Sequence, residues 1–111
     1  TVEESAIRYS DYTEADGERL AAELLQDGRF DALVATAPQL ARGAGRYVET
    51  HKLPVRIGCF DGQRGTRSKT DHFISALTND FEIGSVAITR LLALIEGKTQ
   101  HVQVRIPVDF A

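Results

Sequence analysis

The sequence predicts an α/β protein: a doubly wound, mainly parallel sheet with helices on both faces. Short apolar runs of strand length recur at Phe30 to Ala35, Val55 to Phe60 and Phe73 to Leu77. Between them lie longer stretches whose apolar residues fall three and four apart, the spacing of one helix face. Helical crossovers between short apolar strands require the strands to run parallel.

Taken in order, Thr1 to Glu4 is polar and Ser5 to Tyr9 reads as a short strand. Thr13 and Asp16 have the spacing of a capping box, in which Thr13 accepts from a free helix amide. The helix they open runs to about Gln26, with Leu20, Ala21, Leu24 and Leu25 as its apolar stripe and Gly28 suited to its C-terminal cap. After the strand at 30–35, Thr36-Ala37 turns and Pro38 fits the first position of a second helix. Leu40, Ala41, Ala44, Tyr47 and Val48 form its buried stripe. Gly43 and Gly45 each weaken it by ~1 kcal/mol relative to Ala, so close approach to another backbone is their expected use. It ends near His51-Lys52, where positive charge suits the helix dipole.

Pro54 marks the start of the next strand, in which Val55, Ile57 and Cys59 alternate with Arg56, Gly58 and Phe60 before the turn at Asp61-Gly62. Residues 62–71 read as a polar loop with two turns of helix, and Phe73 to Leu77 as a strand. Asn79 or Asp80 caps the longest helix, about Phe81 to Glu96, which Gly97 stops. Ile83, Val86, Ala87, Ile88, Leu91, Leu92, Leu94 and Ile95 cover more than one of its faces, so it is expected to be deeply buried or shared between two surfaces. Val102, Val104 and Ile106 alternate with Gln103 and Arg105 in a last strand ending at Pro107.

The chain's 111 residues suit one small domain, and 42% hydrophobic with 26% charged residues is an ordinary globular composition. A net charge of −3 argues against this segment itself gripping a phosphate backbone. No apolar run approaches the ~18 residues of a membrane span, and no secretory leader is visible. A chain that begins at Thr1 and contains no Met is expected to be a mature, clipped or excised piece. Cys59 stands alone and leaves the redox compartment open.

No catalytic set can be assembled, and an enzyme is not expected. His51, His72 and His101 lack the spacing of a metal site, and no cofactor motif is present. Asp71-His72 reads as solvated loop, and Cys59 as a core thiol. Gly43-Ala44-Gly45 falls inside a helix and lacks the Lys of a phosphate loop. Arg64, Arg67 and Lys69 are either a solvated cluster or a contact for an anionic effector or partner. Two positions stand out because ligands of open α/β sheets bind beyond the carboxyl ends of strands. Asp61 could accept two hydrogen bonds from a polyhydroxylated ligand, or simply form an Asp-Gly turn. Tyr12 could stack on a sugar face or a base, or cover the helix start.

Five stretches together resemble the sugar-binding fold shared by LacI-type transcription regulators and periplasmic ribose-type binding proteins, the periplasmic binding protein-like type I fold. They are Tyr12 with Gly17; FDALVA (30–35) before a helix with Gly43-Ala44; IGCFDG (57–62); Ile83-Gly84 opening a helix closed by Ile95-Glu96-Gly97-Lys98; and Val104 to Val108. The resemblance covers nearly the whole chain as the second half of that fold. It implies a two-lobed protein with a small sugar-like effector in the interlobe cleft. Tyr12 matches the family's stacking aromatic and Asp61 its hydroxyl-binding carboxylate. Thr78 falls where a polar contact, often Gln, is usual. Ala37-Pro38 falls where Asn-Asp is common, a departure that removes a polar contact from the ligand.

The resemblance further implies that residues 1–77 belong to the C-terminal lobe. Residues 78–107 would then be a helix and strand that pack on an N-terminal lobe, absent here along with any helix-turn-helix. On this expectation the chain is a fragment whose long helix repacks or is covered by a second copy. Homodimerisation through the C-terminal lobe points to Leu40, Tyr47 and the 66–75 segment, Phe73 included. The leading reading is the effector-sensing part of a cytoplasmic LacI-type repressor, contacting DNA only through a separate domain and no membrane. A periplasmic sugar-binding subunit of an ABC importer is the alternative. A flavodoxin-like enzyme or receiver domain is a third, although the clustered acids and late Lys of a receiver are not found.

Overall fold

Three parallel strands and one short antiparallel strand form a single sheet in the computed structural model, which describes residues 1–60, 73–99 and 103–110. The strands are β1 (Ala32–Ala35), β2 (Arg56–Phe60), β3 (Phe73–Leu77) and β4 (Asp109–Phe110), adjacent in that order. β1, β2 and β3 are parallel, and β4 runs antiparallel to β3. The helices are α1 (Glu14–Leu25), α2 (Pro38–Thr50) and α3 (Asp80–Ile95). The sheet is therefore mixed and mostly parallel, with α2 as the crossover between β1 and β2.

Register sorts the strand residues into two faces. Leu33, Ile57 and Phe73 stand in one row, and Ala35, Cys59 and Ser75 in the next row of that face. Together with Ala21, Leu25, Ala41, Ala44, Val48 and Val55, this face builds the core, in which Ile57 and Val48 are 1% exposed. The Cys59 thiol donates to Ser75 Oγ at 3.3 Å, consistent with a structural thiol. On the opposite face, Val34 and Ile74 flank Gly58 and both are exposed.

Local chemistry fixes the helix ends. Thr13 Oγ1 accepts from the Asp16 amide at 3.0 Å, and Asn79 Oδ1 accepts from the Glu82 amide at 3.2 Å. Pro38 occupies the first turn of α2. Gly28 and Gly97 take positive φ after α1 and α3, the left-handed conformation that stops a helix cheaply. α1 and α2 cross at two glycines: a methyl on Gly17 would run into the Leu40 carbonyl, and one on Gly43 into the Glu14 backbone. Gly45 instead makes room for the Phe73 ring, a side chain where a backbone was expected.

Three expectations are corrected. Residues 5–9 are not a strand: Glu4–Ala6 is a single 3-10 turn, and the Arg8 guanidinium donates to the Ser5 and Ile7 carbonyls. Among the described residues no strand is there to pair with them, since β1 neighbours only β2. The last strand, expected at 102–106, is not found over the described residues 103–106. Residues 103–108 have no regular structure, and pairing begins at Asp109, beyond Pro107, which has no N–H to give. Alternation supplied a face there but no partner. Finally, α3 buries no residue: Phe81 is 88% exposed and Ile95 73%. The chain is correspondingly drawn out, with a radius of gyration of 17.9 Å against ~13 Å for a compact domain of this length.

Candidate functional site

Parallel strands place their carboxyl ends on one edge of a sheet, so the segments after β1, β2 and β3 emerge together. Thr36-Ala37 follows β1, Phe60 ends β2, and Thr78 follows β3. α1 starts at the same edge, because Gly17 packs on Leu40 in the first turn of α2. The loop before α1 therefore brings Ser10, Asp11 and Tyr12 to the edge beyond the strands. This is the ligand position expected of the architecture.

Tyr12 has φ of 61° and is 59% exposed. A bulky residue at positive φ is a genuine outlier. The Tyr12 amide donates to Ser10 Oγ at 3.2 Å. Beside it, the Asp11 amide donates to Asp16 Oδ2 at 2.9 Å, while Arg19 donates to Asp16 Oδ1 at 2.9 Å. These bonds hold the Asp16 carboxyl below its ordinary range, the Arg19 guanidinium contributing most and the Asp11 amide next. Asp16 thus serves as more than the box acid: besides meeting the cap residue Thr13, it reaches back to the Asp11 amide. The capping-box spacing of Thr13 and Asp16 was visible in the sequence, but nothing local signalled the reach to Asp11 or the strained Tyr12.

Ala37 is the N-cap of α2 and makes no side-chain cap bond, leaving this corner without the polar group that Asn-Asp would supply. Thr78 is half-buried and donates to Asp80 Oδ1 at 2.9 Å. Asp61, Gly62, Arg64, Arg67, Lys69, His72 and His101 lie outside the described residues. Of the proposed dimer residues, Leu40 packs on Gly17, Tyr47 stacks on His51 with ring centroids 4.1 Å apart, and Phe73 packs under Gly45. Among the described residues, no cluster of three His, Cys, Asp or Glu is placed to hold a metal, and no helix is long and apolar enough to cross a membrane.

A cavity of about 700 Å³ lies beside β1, walled by Ile7, Leu20, Leu24, Phe30 and Leu33. Tyr12, Ala37 and Thr78 do not line it, although Ser10 and Thr36 do. It is a mainly apolar space along β1 that reaches the carboxyl edge of the sheet at Ser10 and Thr36.

No protein-family model matches the sequence, and no curated protein does. Solved structures do match. The Lac repressor bound to ONPG in its repressed state superposes with a TM-score of 0.78 at 19% identity, over 92% of this chain and 33% of that one. The fold is that of the LacI-type repressors. A putative LacI-family repressor from Corynebacterium glutamicum gives a TM-score of 0.74 at 22% identity, over 94% of this chain and 42% of its own. A sugar transporter from Clostridium phytofermentans gives 0.79 at 20% identity, over 95% and 39%. This chain thus spans 33–42% of the length of these proteins.

Proposed function

We propose that this chain is the effector-sensing part of a LacI-type transcriptional regulator rather than an enzyme. The observation that carries the reading is the match to a LacI-type repressor over 92% of the chain, with the exposed Tyr12 standing at the carboxyl edge of its sheet. On this reading residues 1–77 form the C-terminal lobe, and residues 78–107 pack on an N-terminal lobe. Tyr12 stacks on a small sugar-like effector, Asp61 accepts from its hydroxyls, and Thr78 adds a polar contact. Ala37 leaves one side of the ligand without a hydrogen bond. Closure of the lobes shifts the balance between two states of a cytoplasmic homodimer joined through Leu40, Tyr47 and Phe73. Effector and operator DNA, which a separate helix-turn-helix contacts, are coupled because each binds one state better.

The match to a sugar transporter supports a second reading, the sugar-binding subunit of an importer. A thermal-shift screen of the longest natural form of the protein against monosaccharides, sugar phosphates and nucleosides tests the effector. A ligand at 100 times its dissociation constant adds ~2.7 kcal/mol of stability. The expected result is a shift that Asp61→Ala and Tyr12→Ala both abolish. A panel without any shift contradicts both readings. Operator-dependent release of DNA by the same ligand separates the regulator from the importer subunit.

A further inference from the structure

A left-handed conformation costs a non-glycine residue free energy and persists only where surrounding groups enforce it. Tyr12 is poorly suited to φ of 61°, and its own ring does not enforce it, being 59% exposed. Enforcement comes from upstream, where the two amides flanking the Asp11 α-carbon are both tied down, and from downstream, where Thr13 is fixed as the helix cap. The Tyr12 amide is drawn to Ser10 Oγ, and the Asp11 amide to Asp16 Oδ2 at 2.9 Å. Asp16 is itself fixed on three sides: by its place in the first turn of α1, by the Thr13 cap on its amide, and by Arg19 on its second oxygen. Arg19 is held in turn by Glu23 at 2.9 Å. A rigid helix turn therefore reaches back over five residues to pin the loop that carries Tyr12.

We propose that Asp16 is the positioning residue of the effector site, holding Tyr12 in its strained conformation so that the ring stands ready at the sheet edge. This rests on the effector-sensing reading for the role of the ring, but the pinning itself stands on the geometry alone. The strain is the cost of pre-organisation: a ligand meets an aromatic face already in place and need not order it.

The test is the intraresidue amide-to-Hα NOE of Tyr12 in the full chain, because a positive φ brings those two protons unusually close. The NOE is expected to be strong in the wild type and in Asp16→Asn, whose side-chain carbonyl still accepts from Asp11. It is expected to fall to the level of ordinary residues in Asp16→Ala with the helical circular dichroism retained. Should Asp16→Ala not fold, Asp16→Ser keeps a polar first-turn residue too short to reach Asp11 and gives the same loss. Arg19→Ala, which leaves the Asp11 bond, retains the NOE. Tyr12→Asn, a residue tolerated at positive φ, is expected to raise the melting temperature. A strong NOE surviving in Asp16→Ala or Asp16→Ser, or a lower melting temperature for Tyr12→Asn, overturns the proposal. The sugar panel is read separately: no binding by a wild type with the strong NOE removes the effector reading and leaves the pinning intact.

Discussion

α2 and α3 both carry apolar stripes that suggest burial, and they meet opposite fates. α2 carries small residues, Ala41, Gly43, Ala44 and Gly45, on the face that packs against α1 and the sheet, and all four are buried. Its polar face holds Arg42 and Arg46, which pair across the helix crossing with Glu14 at 2.6 and 2.8 Å. α3 is the more apolar helix and carries larger side chains, yet buries none of them. Gly43 of α2 has no room for a methyl group, whereas Gly84 of α3 has nothing within 4 Å. Hydrophobicity states what a helix would gain by burial; a surface of matching shape decides whether it is buried. α2 has that surface among the described residues, and α3 does not.

Core truncation separates the two regions most widely. Ile57→Ala, under α2, should cost about 3 kcal/mol in chemical denaturation, the usual penalty for emptying a well-packed site. Leu91→Ala on α3, 52% exposed in the wild type, should stay within about 0.5 kcal/mol. Equal costs would erase the distinction. The glycines provide a second, smaller contrast of opposite sign. Gly43→Ala should destabilise by about 2 kcal/mol through overpacking against Glu14, while Gly84→Ala should be neutral or stabilise by up to about 1 kcal/mol through helix propensity. The same denaturation curves measure both.

The smallest expected effect is electrostatic. The Arg42 guanidinium, and after it Arg46, holds the Glu14 carboxyl below its ordinary range. A carboxyl whose pKa is lower in the folded state lends stability above its unfolded pKa, and loses it as pH falls through the folded value. Stability should therefore decline as pH drops below about 4.3, the unfolded glutamate value. Asp16, paired with Arg19, adds to the same acid limb. Glu14→Gln should flatten that limb by removing the stability that the carboxylate lends at neutral pH. An unaltered acid limb in Glu14→Gln would show that these exposed pairs do not couple to folding.

The parts legible in the sequence were those governed by local rules. The Thr13 and Asn79 caps, Pro38 in the first turn of α2, and the strand at Phe73–Leu77 all lie where spacing and residue type put them. The alternation of Val55 to Phe60 identified β2, and the fold class followed from the order of elements. What failed depended on a partner. Residues 5–9 and 102–106 have strand-like patterns, but a strand exists only beside another strand. The α3 stripe gave hydrophobicity without saying what it faces. The candidate site divides in the same way. Tyr12 was visible as an aromatic between a strand-like run and a helix, but its strain depends on Asp16 reaching back across a turn, which no spacing rule encodes.

Amide hydrogen exchange across the whole chain tests the contrast most directly, since it reads the opening free energy of each helix separately. Amides of Ala41 to Val48 in α2 are expected to exchange only through global unfolding, and those of Ile83 to Ile95 in α3 to exchange far faster by local opening. Equal protection in the two helices would show that α3 is packed as firmly as α2, and would contradict the contrast between a buried α2 face and an α3 that buries no residue.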